Sequence, residues 1–589
     1  MRDNDLDNLT EHAMLVAWGQ FAQSLGLVDD MEAVAMHQKA YIHRPQSKVI
    51  EFLVAILAGF PYLKDISHSA HPLDQDRMVA RAWKQAGWAD YSGVSRTLTE
   101  LTMEEAQGIE RVLLKISQPI IDREVLLAVR TKGELVYDGD LTSRKVSNTS
   151  KTYPNAAYGH MSDDRIGLGY QAAMVSMESP TYGRLWLSAV LHPGNTLSCT
   201  QAEALVLAAE TRTGMRPKRR TELLAQRLRD LALELTEREE RLHKVQQARQ
   251  TAQEELDGVK SQVQQCQQQV SELETAYQQH GHLERPFSSL GQARTKLRNL
   301  QARLERKEKR LAQAQRSLSN REALLAHCQT QQSILQERLQ RFESDNAANS
   351  FPIRAVFRLD GGFGNLENLA LLIESGYEIY LKSYGSKTTE RLKRQVIIET
   401  EWERVGVNAS LVAWANQSLK GFPYLVDIAL ERFRVEKGDE YHSLIHFGQD
   451  PTANHLQDWF HRYNQRQIIE AGIKEGKSTF EMHHLKVRSA AALFLQEKFA
   501  IFAANFVRWA DQWLSQQCPQ LPHGWQDSSQ PNVKEQVKVG ANTSAWVSWS
   551  EQGCLLRFTD HSVFAGRSLP VHRSWAYQMV LPFAKNSVF

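Results

Sequence analysis

Cysteine is scarce: the 589 residues contain five, Cys199, Cys266, Cys328, Cys518 and Cys554. They are odd in number and scattered, with no C-x-x-C pair. That argues against a disulfide framework and a cysteine-based zinc site, and a reducing cytosol fits best. A surplus of one charge is also missing. The 70 basic and 68 acidic residues leave a net charge of +2, so bulk charge cannot hold this chain on nucleic acid and any such surface must be local. No uncharged apolar run of about 18 residues occurs. The most apolar region, around Phe499 to Trp509, is broken by Lys498 and Arg508 and reads as a buried helix, with no membrane expected. The opening MRDNDLDNLTEH is acidic and polar, unlike a secretory leader.

What is present is ordinary for a folded protein: 42% apolar and 23% charged residues, enough length for roughly three to five domains. Residues 1–125 show helical patterns broken by short turns. Between Arg77 and Leu101 they suggest helix, turn, helix, with Gly87 and Gly93 as breaks. Ser95 and Arg96 would then stand near the start of a helix suited to a DNA groove; an ordinary helical hairpin fits equally well. From Glu124 the runs VLLAVRT, ELVYDGDL, GYQAAMVSME and RLWLSAVLHPG predict strands.

The strongest periodicity comes next. Leu224, Leu228, Leu231, Leu235 and their successors to Tyr277 keep a 3-4 spacing, as do Leu290 to Phe342 in a second run. HGHLERPF, with Gly281 and Pro286, separates them. Sustained heptads mean coiled coil. Two arms of about 55–60 residues around a central breaker favour an antiparallel hairpin, reaching roughly 80–90 Å, over an intermolecular coil. Arg216, Lys218, Arg219 and Arg220 cluster at its root, as a phosphate contact or simply a solvated charge run.

Beyond Phe351 come a strand ending in a glycine turn (IRAVFRLDGGFG), a helix (NLENLALLIESG), a strand (YEIYLKSYG), further strands including VIIETEW and FRVEKGDEYHSLIHF, and long helices over 452–485 and 489–515. Strands thus precede and follow the coiled coil without completing a sheet on either side. This order resembles the ribonuclease-H-like fold. The expected domains are 1–125, a helical DNA-binding domain; 126–215 and 347–515, two parts of one α/β catalytic domain with a β-rich insertion at about 388–450; 216–346, the coiled coil; and 516–589, a β-rich tail.

Three acids stand out. Asp140 and Asp360 end strands, and Glu470 lies on a helix. Strand-end acids can meet at one sheet edge, and carboxylates suit Mg²⁺. Any one of them could instead be a turn or surface residue. Tyr463, Arg466, Glu470 and Lys477 fall at i, i+3, i+7 and i+14, within a helical arc of roughly 60°. A metal-binding acid between two cations suits a phosphodiester, although a surface helix with i, i+4 ion pairs would look alike.

These four residues reproduce the Y-x2-R-x3-E-x6-K signature of bacterial insertion-sequence transposases of the DDE type, a cut-and-paste family. RLDGGFGNLENLALLIESGYEIYLKSYG resembles that family's second-aspartate region. YDGDLT resembles its first, which makes Asp140, not Asp138, the catalytic acid. The resemblance covers about 130–215 and 350–510; the coiled coil between the two aspartates departs from it. It implies two Mg²⁺ ions, with Mn²⁺ able to substitute, held by Asp140, Asp360 and Glu470. They would serve hydrolysis at transposon ends and attack of the freed 3′-hydroxyl on the opposite strand or on target DNA. It also implies double-stranded DNA as partner, a homodimer on that DNA, a bacterial cytoplasmic or nucleoid location, and phosphate contacts from Tyr463, Arg466 and Lys477. Trp402 or Trp414 could stack on a flipped base. Two other readings remain: a ribonuclease-H-like nuclease or resolvase without strand transfer, and a DNA-organising protein whose hairpin is the working part.

Overall fold

The computed structural model describes residues 8–573 apart from 162–164, 282, 384–385, 399, 437, 450–454, 481, 483, 518–532 and 563; Cys518 lies outside the described residues. The chain forms two compact units, one of residues 1–218 with 351–589 and one of 219–350.

The first unit opens with strand β1 (Leu9–Thr10) and helices α1 (Ala13–Ser24), α2 (Leu27–Glu32), α3 (Pro45–Leu57), α4 (Asp65–His68), α5 (Arg77–Ala82), α6 (Tyr91–Glu100) and α7 (Met103–Lys132). Residues 83–90 join α5 to α6, a longer link than the three- to four-residue turn of a helix-turn-helix. Asp90 caps α6 by accepting the Gly93 N–H. Ser95 therefore sits mid-helix and half-buried, with Arg96 beside it and exposed.

The strand expected at VLLAVRT is instead the end of α7. Its residues extend a stripe of Ile109, Leu113, Ile116, Ile120 and Val125, buried at helical spacing. Thr102 and Glu105 form a reciprocal capping box, and Gly133 closes the helix at φ 71°. Such end signals fix helix boundaries, and here they outweigh the local β-branched composition.

Strands β2 (Glu134–Lys145), β3 (Ala157–Met161), β4 (Arg165–Ser179) and β5 (Gly183–Pro193) follow, then helix α8 (Ala202–Thr213). After the second unit come β6 (Arg354–Leu359), α11 (Leu366–Glu374), β7 (Glu378–Lys382), α12 (Ser386–Gln395) and the strands β8 (Glu403–Arg404), β9 (Ala409–Ser418), β10 (Leu425–Val435) and β11 (Gly438–Phe447). For VIIETEW, expected as a strand, the described residues 396–398 and 400–402 are not in one, and Ile397 and Ile398 are exposed. The described strands make one sheet, β3-β4-β2-β6-β7-β11-β10-β9-β8, with β5 also on β4. At its centre β2 is antiparallel to β4 and parallel to β6, and β6 is parallel to β7.

Helices α13 (Leu456–Asn464), α14 (Gln467–Thr479) and α15 (Ala490–Gln517) complete this layer. Helix α15 is long and apolar enough to cross a membrane, but 78% of its most apolar window is buried inside the fold. Its Asn505 donates to the Trp186 carbonyl at 2.9 Å and accepts the Trp186 N–H at 3.0 Å, satisfying β5 where its register with β4 shifts. Its Glu497 accepts from the buried Arg144 of β2 at 2.8 Å. Short helix α16 (Val533–Glu535) precedes β12 (Ala545–Ser550), β13 (Gly553–Phe558) and β14 (Ser568–His572), and β1 completes this second sheet by pairing with β12.

The second unit is an antiparallel pair of helices, α9 (Thr221–Gln279) and α10 (Ser289–Ala348). Apolar clusters recur along it: Leu224 with Leu335 and Phe342, Leu256 with Leu311, and Val270 with Leu290 and Ala293. At one end Arg219 is buried against the Phe342 ring and paired with Asp345 at 2.9 Å. That member of the basic cluster is therefore committed within the unit.

Candidate active site

Asp140, expected at a strand end, lies instead in the middle of β2, whose pairing with β4 runs on to Lys145; it stands opposite Met174 and accepts the Leu141 N–H at 2.7 Å. Asp360 follows β6 directly. It accepts the Gly361 N–H at 2.6 Å and caps the Gly361–Phe363 turn. The Ser198 hydroxyl oxygen stands 2.9 Å from where a Cβ on Gly362 would be, so any larger residue at this position would have to displace that side chain. Because β2 and β6 are parallel neighbours, with Gly139 beside Leu359, Asp140 and Asp360 emerge side by side. Glu470 sits in the first turn of α14, where the helix dipole favours negative charge.

One guanidinium gathers the three. Arg466 Nη1 is 3.7 Å from Asp140 Oδ2, Nη2 is 3.7 Å from Asp360 Oδ1, and Nη2 also pairs with Glu470. Arg466 is buried, whereas Asp360 and Glu470 are 49% and 41% exposed. Burial pushes the Asp140 carboxyl up to about 6; Arg466 pulls it down, and Asp360 and Glu470 add to the rise. Burial is the main reason for the rise, and the two neighbouring acids only add to it.

The sequence-predicted helix face is divided between two helices. Tyr463 ends α13, Arg466 caps α14, and Gln465 and Arg466 between them keep helical dihedrals. Tyr463 is not a surface contact: it is 3% exposed, packed with Val136, Tyr380 and Trp459, and its hydroxyl is close enough to feel the charge of Arg466. Lys477 is half-buried. Its amine is lowered by burial and by Arg144, with Asp140 acting the other way, so it stands within reach of Asp140's charge. Ser95 and Arg96 lie on α6, and Ser95 lines a cleft whose lining includes none of these acids. Of the two tryptophans, Trp402 lies under the Arg432 guanidinium at 4.2 Å and Trp414 is half-buried on β9.

Two arginines that the sequence reading passed over hold this frame. Arg358 of β6 makes a bidentate pair with Asp138 at 2.6 and 2.8 Å, and donates to the Arg462 carbonyl and to Gln465 Oε1 at 3.2 Å. It therefore ties β2 and β6 to the turn that carries Arg466. The available signal was a charged residue at an inward position of an apolar strand, as in VFRL. Arg144, in TSRK, is the same case.

Glu431 of β10 is also buried nearby, with both carboxylate oxygens unpaired, and burial pushes it up to about 7 while Lys382 pulls it down. A carboxyl raised in the folded state costs nothing below its unfolded value of about 4.5 and its full penalty above about 7. Glu431→Gln should therefore stabilise the protein by on the order of 2–3 kcal/mol at pH 8 and by nearly nothing at pH 4. Urea unfolding at the two pH values checks this, and equal shifts would refute it.

Among the described residues, no group of three or more His, Cys, Asp or Glu side chains is spaced to hold a metal ion. The three acids are instead arranged around Arg466. Their donor chemistry does fit Mg²⁺: all oxygen, two carboxylates open to solvent, and more negative charge than Arg466 neutralises.

This geometry defines an acid triad gathered over two central strands of a mixed sheet. No family profile and no curated protein matches the chain. Among solved structures, a piggyBac transposase synaptic complex with hairpin DNA, determined by cryo-EM, aligns with a TM-score of 0.34 and 8% identity over 91% of this chain and 80% of that one. A likeness of that size bears no weight for fold or function.

Proposed function

We propose that this chain is a DNA transposase that cuts phosphodiester bonds at transposon ends and joins the freed ends to target DNA. The observation that carries the reading is the convergence of Asp140, Asp360 and Glu470, from three separate chain segments, on Arg466. Three antiparallel strands followed by two parallel ones, in the order β5-β4-β2-β6-β7, support assigning this sheet to the ribonuclease-H-like fold.

Asp140, Asp360 and Glu470 would hold two Mg²⁺ ions, which supply Lewis-acid activation of the attacking oxygen and charge neutralisation at the leaving one. Arg466 now neutralises part of the charge that those ions would neutralise. Tyr463 packs in the core beside Arg466. Lys477, beside Asp140, offers an ammonium to a phosphate oxygen. Lys477→Ala should weaken binding of duplex transposon ends and lower the slope of log K against log salt by about 0.9. Fluorescence anisotropy from about 50 to 200 mM salt reads this; an unchanged slope would exclude the contact.

The deciding experiment incubates the purified protein and Mg²⁺ with DNA carrying the repeats that flank its own gene, plus a target plasmid. Cutting at the repeat ends and covalent joining to the target are expected. Cutting without joining would favour a nuclease or resolvase. No cutting by the intact chain would favour a DNA-organising protein. Deleting Arg220–Phe342 asks what the helix pair does. We assign it to dimerisation or end-bridging, so a deletion variant that still pairs two ends in light scattering with DNA would remove that role.

A further inference from the structure

A second cleft lies outside the acid triad, with a cavity of about 550 Å³. Lys64, Lys145, Lys486 and Arg488 line it, and no Asp or Glu stands among its described lining residues. Three parts of the first unit build it: the α4–α6 region, the end of β2 with the loop after it, and the segment between α14 and α15. That last segment is clamped. The buried Gln496 side chain accepts the Lys486 N–H at 2.9 Å and donates to the His484 carbonyl at 2.8 Å. Ser489 donates to the Leu98 carbonyl at 2.8 Å, joining the segment to α6. The cleft is therefore preformed.

Aromatic faces alternate with the cations. Tyr62 and His484 lie 5.3 Å apart with their rings tilted by 49°. Lys64 stands 5.5 Å over the Tyr62 ring, and Arg488 stands 6.0 Å over Tyr153. Cations that track a backbone, interleaved with rings that accept bases, are the recognition chemistry of unpaired nucleic acid. A duplex keeps its base faces stacked inside and could use only the cations. A cavity of this size takes a ligand of drug-like dimensions, so it admits a stretch of one strand and not a double helix.

We propose that this cleft binds an unpaired DNA strand, its phosphates on Lys64, Lys145, Lys486 and Arg488 and its bases against Tyr62 and Tyr153. The choice of DNA over another polyanion rests on the function proposed above. Lys145 is the last residue of the strand that carries Asp140, about 17 Å further along at 3.3–3.4 Å per residue. The cleft and the acids thus share a rigid element. Ser95, singled out in the sequence for DNA contact, lines this cleft, whereas Arg96 is not among its lining residues.

The test uses the full chain and a labelled oligothymidylate of about 20 nucleotides, read by anisotropy across a salt series. Lys145→Glu with Arg488→Glu should weaken strand binding at least tenfold and lower the salt slope by about 1.4, or about 0.7 per lost phosphate contact. Tyr62→Ala with Tyr153→Ala should weaken it by about thirtyfold or more. Binding of blunt duplex should change far less. Unchanged strand affinity and slope would overturn the proposal, as would complete displacement of the strand by inorganic phosphate, which would mark a small-anion site. Should a variant fail to fold, photocrosslinking of wild-type protein to a 4-thiothymine-bearing strand decides: adducts on the peptides of Tyr62, Tyr153 or His484 support the cleft, and adducts only elsewhere refute it. Asp360→Ala serves as the separating control. Its continued cleavage would sink the acid-site assignment, and no cleavage by the wild-type chain would sink the transposase reading, either result leaving the cleft standing, whereas strand binding untouched by the cleft variants would do the reverse.

Discussion

Asp140→Ala, Asp360→Ala and Glu470→Ala should each reduce cleavage of transposon ends by about a thousandfold or more while end binding persists, and any two together should cost little more than one. The non-additivity is the informative part. Groups that act as a unit lose the unit's function when any member goes. Three carboxylates sharing one guanidinium are such a unit if all three are needed to hold the ions. Folding should survive, because Asp360 and Glu470 are about half-exposed and removing an acid relieves repulsion on Asp140. The measurement is product formation on labelled DNA ends, with anisotropy for binding and circular dichroism for folding. Cleavage retained by any of the three variants would end the site assignment. Independent, multiplicative losses would point to three separate contributions.

The second large effect concerns stability. Arg358→Met should destabilise the first unit by about 3–5 kcal/mol, because it strands Asp138 as a buried carboxylate. That carboxyl is already raised by burial despite its bidentate partner. The pair itself is not the source of the cost. Replacing a buried ion pair wholly by apolar groups is often neutral, so adding Asp138→Leu should restore most of the loss. A double-mutant cycle on the urea midpoint tests this, and additive losses from the two changes would refute it. Arg358 also holds the Arg462 carbonyl and Gln465. Even where the single variant remains folded, Arg466 should lose its fixed place and cleavage should fall with it.

The residues of the acid site could be read from the chain because each carries a local signal. Asp360 precedes a glycine turn after an apolar strand, and Glu470 lies at a fixed spacing from Tyr463, Arg466 and Lys477. What each neighbour does was not readable. Tyr463 and Arg466 were expected on a DNA-facing helix surface, yet the ring is in the core and the guanidinium is turned onto the acids. Helical spacing gives a common face but not what that face meets. VLLAVRT was misread because β-branched and leucine-rich runs suit a strand or a buried helix equally. The decision came from Thr102 and Gly133 at the two ends of α7.

By itself the sequence determined the two long helices, whose heptads state a coiled coil and whose matched lengths favour pairing with each other, and the strand and helix patterns around Asp360 and Glu470. These are properties of neighbours a few residues apart. Tertiary structure alone decided that β2 and β6, separated by the whole helix pair in sequence, lie side by side, that β1 completes a sheet with the far end of the chain, and that Arg466 sits at the meeting point of three acids. Those arrangements depend on which buried faces and ion pairs satisfy one another across hundreds of residues, and no local period encodes that.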